Sequence, residues 1–169
     1  ETQFKNYLDK KKSQILCYLI DMKCSNIRTL DFILESIHKV YKEMENVHKN
    51  IDYFDEIMND FMKYIVYFSV YYRNGGSIKK LNLTAEIGYV NLENKPYKSI
   101  RGFKFLEDYC ATLSFSQERF LHVVDELKTE YSKKEEYHKK RNAAYYLLQD
   151  WYNKEDDEVR TLIQKLKDE

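Results

Sequence analysis

Glycine and proline are scarce in this chain: 4 Gly and 1 Pro in 169 residues. Sheet-rich folds of this length need many tight turns, and tight turns recruit those two residues, so the scarcity points to long helices with few connections. Cysteine is scarce too. Cys17, Cys24 and Cys110 form an odd, widely spaced set, which argues against a disulfide framework and suits a reducing, cytoplasmic setting. There is no excess of charge of either sign, since 28 Lys and Arg balance 28 Asp and Glu, so no broad cationic field attracts nucleic acid. Long apolar runs are missing as well. The nearest is FMKYIVYFSVYY, from Phe61 to Tyr72, which contains Lys63 and falls short of the roughly 20 apolar residues of a membrane span. It reads as a core helix, and no transmembrane span is expected.

What is abundant is aromatic. Tyr 16 and Phe 9 bring the aromatic share to 15%, far above that of a disordered tail, and 43% hydrophobic with 33% charged residues suits one helical domain over residues 1–169. The start at Glu1 and the charged end from Lys165 to Glu169 are those expected of a fragment of a longer protein.

Periodicity predicts an all-α, bundle-like module of seven or eight helices. The first runs from about Phe4 to Met22, with Tyr7, Leu8, Ile15, Leu16, Leu19 and Ile20 on its apolar side. The second runs from Ile27 to about His48. Ser25 or Asn26 can cap it, and Ile27, Leu30, Leu34, Ile37, Tyr41 and Met44 recur at helical spacing. The third runs from about Asp52 to Arg73 and is closed by Asn74-Gly75-Gly76-Ser77. Short connections make these three an antiparallel cluster. Residues 78–102 break the pattern. Their imperfect alternation and the turn Asn94-Lys95-Pro96 leave a short hairpin and an irregular arm both open, and long irregular segments often carry partner contacts. Helices resume at Phe103–Ala111, then after a cap at Ser114 or Ser116, and finally after Asp156 or Asp157. The expected core includes Leu30, Leu34, Phe61, Ile65, Phe105 and Val124.

Catalytic patterns are missing. His38, His48, His122 and His138 do not pair closely with a cysteine, and no H-E-x-x-H occurs, so no metal site is assigned. Asp52, Asp55, Glu56 and Asp60 make a solvated helix face, and Asp156, Asp157 and Glu158 suit a helix start. No G-x-S-x-G elbow or complete P-loop is present. The basic stretch Lys133 to Arg141, followed by Tyr145 and Tyr146, is threaded with glutamates. Glu135 can pair with Lys139 and Glu136 with Lys140, which disfavours nucleic acid as a ligand. A sparser basic set, Lys79, Lys80, Lys98 and Arg101, has fewer acidic partners and is the better candidate anion-contacting surface. Arg28 is the most distinctive charge. A cation in the first turn of a helix opposes the macrodipole, so Asp31 or an external anion should offset it.

Three segments together carry a resemblance. Leu19-Ile20 followed by Ser25-Asn26-Ile27-Arg28-Thr29-Leu30 and a long helix resembles the lid-side arginine motif of AAA-like P-loop NTPases, especially the divergent bacterial KAP-type ATPases. Tyr97-Lys98-Ser99-Ile100 with Phe103-Lys104-Phe105-Leu106-Glu107-Asp108-Tyr109 is similar to the linker of the helical regions that follow such cores. Leu147-Leu148-Gln149-Asp150-Trp151-Tyr152 with Asp156-Asp157-Glu158-Val159 is similar to their tail segments. The resemblance implies a helical lid or regulatory region that partners an upstream NTPase core, with ATP or GTP and Mg²⁺ bound by the parent protein. Arg28 would contact the nucleotide and Asn26 would position it. The chain lacks the Walker lysine and a magnesium-binding pair, so no hydrolysis is expected of the fragment itself. The alternative is a structural or protein–protein interaction module with no nucleotide role, which could self-associate through exposed members of a Tyr64-Tyr67-Tyr71 stripe.

Overall fold

The computed structural model describes residues 2–47, 52–92, 99–143 and 147–168. The order is α1 (Thr2–Asp21), α2 (Ile27–Val47), α3 (Phe54–Arg73), α4 (Ile78–Leu81), β1 (Ile87–Asn91), β2 (Ser99–Phe103), α5 (Lys104–Thr112), α6 (Gln117–Asn142), a 3-10 turn (Leu148–Asn153) and α7 (Asp156–Asp168). The fold is all-α with one short antiparallel hairpin, in which Ile87 faces Phe103 and Asn91 faces Ser99. The described part of the 78–102 segment is therefore a helical turn followed by two paired strands. His48, Asn94-Lys95-Pro96, Tyr97-Lys98 and Ala144-Tyr145-Tyr146 lie outside the described residues.

The chain divides into two compact units, Glu1–Asp125 and Glu126–Glu169, and the division falls inside α6. In the first unit, α1, α2 and α3 pack up, down and up. Phe4 and Tyr7, early in α1, meet His38 and Tyr41, late in α2, while the short link 22–26 joins the other ends, so α1 runs antiparallel to α2. Tyr41 meets Phe54, while Phe32 lies under Arg73, which sets α3 antiparallel to α2. The core is a cluster of rings. Phe61 lies 4.8 Å from Phe103, 5.6 Å from Phe105 and 5.9 Å from Phe120, so α3, β2, α5 and α6 share one centre. Such offset and edge-on pairs add about 0.5–1.5 kcal/mol each beyond the area they bury.

Some expected faces are rotated. In α2, Ile33, Ile37, Val40, Tyr41 and Met44 are buried, while Leu30 and Leu34 are only half-buried and Ile27 is exposed. Position 27 opens the helix at the end of the bundle, beyond the length that α3 covers. In α1, Tyr7, Ile15 and Leu19 are buried, and Leu16 and Ile20 lie one residue round from that line in solvent. In the hairpin Val90 is buried and Tyr89 faces out. The Tyr64-Tyr67-Tyr71 stripe is buried, so it offers no outer surface for self-association. The α3 helix packs on α1, α2, β2 and α5, and so has little outward face left.

A partly polar seam runs through this core. The Tyr64 hydroxyl donates to Glu107, which is only 2% exposed, and the Tyr67 hydroxyl donates to Asp21. Burial pushes the Glu107 carboxyl above the usual carboxylate range, and the Tyr64 hydrogen bond opposes that rise. Burial also pushes the Cys110 thiol up to about 12, which suits an inert core thiol. Arg119 ties three segments together, donating from Nε to Glu86 at 2.8 Å and from a terminal nitrogen to Asp108 at 2.6 Å.

The second unit is built differently. Its part of α6 is a solvated helix with the expected Glu135–Lys139 and Glu136–Lys140 pairs, both at 2.7 Å. In α7 Leu162 is buried, while Ile163 and Leu166 are exposed. Among the described residues, no helix is long and apolar enough to cross a membrane.

Candidate functional site

The antiparallel packing gathers the end of α1, the start of α2, the end of α3 and the short α4 at one end of the first unit. Chemistry-bearing side chains collect there. Helix α1 stops when Lys23 turns to positive φ and the Cys24 N–H donates back to the Leu19 carbonyl at 2.9 Å. Asn26 then caps α2, its Oδ1 accepting the Arg28 N–H at 2.9 Å. Of the two cap candidates, Asn26 is the one that acts.

Arg28 is exposed, and among the described residues no ion pair reaches its guanidinium; Asp31, one turn on, does not close on it. Phe32 follows Arg28 by four residues, on the same side of α2, and its ring carries the Arg73 guanidinium at 4.4 Å. Arg28 and Arg73 therefore share one flank of the bundle end.

Tyr71 brings in the next cations. Its hydroxyl donates to the Ser77 carbonyl at 3.2 Å and accepts the Ser77 N–H at 3.1 Å. Its ring lies so close to Gly76 that a Cβ there would stand 2.4 Å from it, so glycine is required at that position. Gly75 at φ +88 supplies the helix stop that the sequence signalled. The turn 74–77 is thus folded onto the last turn of α3, and α4 presents Lys79 and Lys80, both exposed, at the same end.

This end thus carries the cations Lys23, Arg28, Arg73, Lys79 and Lys80, and among the described residues its helix ends also carry the carboxylates Asp21, Asp31 and Glu35. Asp21 already accepts the Tyr67 hydroxyl. Two aliphatic side chains flank the α1–α2 turn: Ile20 is 75% exposed and Ile27 72% exposed, with Leu16 one turn back along α1.

The anion-contacting set proposed from the sequence is thereby split. Arg28, Lys79 and Lys80 come to one end of the bundle. Arg101 lies in β2, and its guanidinium donates to Asp60 at 2.9 Å on the α3 side of the hairpin. Lys98 lies outside the described residues. Ile20, Lys23 and Arg73 were not in that set. Their signal was weak: a residue just off the buried line of α1, a lysine just past a helix end, and an arginine just before a glycine stop.

The opposite end of the first unit holds a cleft of about 860 Å³, lined by Gln3, Tyr7, Lys10, Tyr41, Asp55 and their neighbours. Burial pushes the Tyr41 hydroxyl up to about 12, with the Glu45 carboxylate adding to the rise. The cleft wall carries Lys10 and Lys11 against Glu45 and Asp55, so it selects no charge. The described residues hold no cluster of three or more His, Cys, Asp or Glu suited to a metal ion. Cys17, Cys24 and Cys110 are free thiols. No family model, curated protein or solved structure matches the chain.

Proposed function

We propose that this chain is a non-catalytic helical docking module, and that the basic, aliphatic end of its first unit meets an anionic partner. The observation that carries the reading is the pair Ile20 and Ile27, largely exposed in the same stretch as Arg28, whose guanidinium no ion pair offsets among the described residues. Exposed aliphatics lose free energy to water, and a cation set with few acidic neighbours is attracted to negative charge. On a matrix bearing a soluble polyanion such as polyphosphate, the chain is retained at low ionic strength and released as salt rises. The combined change Lys23→Glu, Arg28→Glu and Lys79→Glu removes that retention while the far-ultraviolet circular dichroism stays helical. Retention that survives the change sinks this reading.

A second reading specifies the anion as the terminal phosphate of ATP or GTP, bound with Mg²⁺ on an upstream P-loop NTPase core of the same protein. The exposed guanidinium of Arg28 favours it, with Asn26 fixing the helix start that carries the arginine. In the parent protein, Arg28→Ala then lowers the turnover rate more than it weakens nucleotide binding. An unchanged turnover rate rejects the lid role.

A further inference from the structure

The aliphatic part of this end specifies the partner further. We propose that it binds the surface of an anionic lipid bilayer, with Ile20 and Ile27 entering the headgroup boundary while Lys23, Arg28, Arg73 and Lys79 lie at headgroup level; the proposal rests on the docking reading above.

Three observations favour a lipid surface over an acidic protein. Ile20 closes the last turn of α1 and Ile27 opens the first turn of α2, so both stand at helix ends, where a flat surface can reach them. The outermost large side chains are aliphatic and the surrounding charges include lysines, whereas the centres of protein interfaces are enriched in aromatic residues and depleted of lysine. Two exposed cations also lie in the same short stretch of chain as the aliphatics, Lys23 in the turn between α1 and α2 and Arg28 next to Ile27. That is the arrangement in which apolar insertion and headgroup attraction act together, and stable surface binding needs both. Among the described residues Asp31 and Glu35 of α2 make no hydrogen bond or ion pair, and Asp21 accepts the Tyr67 hydroxyl. The mode is peripheral, since no described helix is long and apolar enough to span.

The test is co-sedimentation of the full chain with vesicles of phosphatidylcholine alone and with vesicles that contain about a third phosphatidylglycerol. Partitioning onto the anionic vesicles exceeds that onto phosphatidylcholine by at least about tenfold and falls by about tenfold when salt is raised well above physiological strength. Ile20→Ser with Ile27→Ser keeps every charge and alters only largely exposed side chains, yet lowers partitioning at least about tenfold, in line with the apolar contribution of two aliphatic side chains, while the far-ultraviolet circular dichroism stays helical. Equal binding to both vesicle types, or binding indifferent to the two serines, overturns the proposal. Retention on polyphosphate with no vesicle binding also overturns it, and leaves a soluble acidic partner for the docking reading. Loss of both kinds of binding in the unaltered chain rejects the two together.

Discussion

The two units of this chain share a helical composition and differ in what holds them. In Glu1–Asp125, Phe61, Tyr64, Phe68, Phe103, Phe105 and Phe120 are fully buried and meet one another across four elements. In Glu126–Glu169, Tyr137, Trp151, Tyr152, Ile163 and Leu166 are exposed, and i,i+4 ion pairs hold the surface of the long helix. The first unit draws its stability from burial, which is large and cooperative. The second buries Leu127 and Leu162 and otherwise draws on local terms of a few tenths of a kcal/mol per pair. A helical pattern in sequence is thus compatible with two different physical regimes.

The sharpest way to break this comparison is to remove one ring from each side of it. Phe61→Ala should cost about 3–5 kcal/mol in urea-induced unfolding, because the ring is fully buried among three others and leaves a cavity. Trp151→Ala in the second unit should cost under about 1 kcal/mol, since that ring is largely exposed. Comparable losses would show that the second unit has a core of its own. Hydrogen exchange sharpens the point. Amides of α3 should exchange only through global unfolding, and those of α7 through local opening.

A smaller effect separates the two kinds of ion pair. Arg119 bridges Glu86 and Asp108 from a half-buried position, so Arg119→Ala should cost about 1 kcal/mol after solvent screening is allowed for. Glu136→Gln breaks a fully exposed pair and should leave the melting temperature unchanged. Equal shifts in melting temperature for the two substitutions would refute the distinction.

The smallest effect is a pH dependence. Burial raises the folded-state pKa of Glu107 above its unfolded value, so the folded state binds its proton more tightly. The stability from this group is fully present below the ordinary glutamate pKa and is lost as pH rises through the raised folded value. Glu107→Gln keeps an acceptor for the Tyr64 hydroxyl and removes the buried charge. It should raise the melting temperature near neutral pH, and the gain should shrink on acidification toward the ordinary carboxylate range. A gain that is independent of pH would mean that Glu107 does not titrate in this window.

Much of the architecture was legible before any coordinates. The three long helices, the glycine stop after Arg73, the cap before Ile27 and the paired charges of the long helix all follow from short-range rules, and the structure carries each of them. The candidate end was legible only in pieces. Arg28 and Lys79 stood out as cations with few local partners, but nothing in the spacing says that the start of α2 and the segment after α3 share one end of a bundle. The two isoleucines were misplaced for a related reason. Periodicity places a side chain around a helix, and does not say where along that helix the neighbouring helices stop.

What the sequence determined by itself was therefore local: helix content, the main stops and caps, and the abundance of rings for a core. These depend on residues within about one turn of each other, where backbone hydrogen bonding and rotamer preference decide the outcome. Tertiary structure alone decided which rings meet, that the Tyr64-Tyr67-Tyr71 stripe is buried, that Arg101 is taken by Asp60, and that Ile20, Ile27, Arg28 and Lys79 come to one end. Those outcomes depend on the antiparallel register of α1, α2 and α3, which is set by packing between residues far apart in the chain, from Tyr7 with Tyr41 to Phe32 with Arg73.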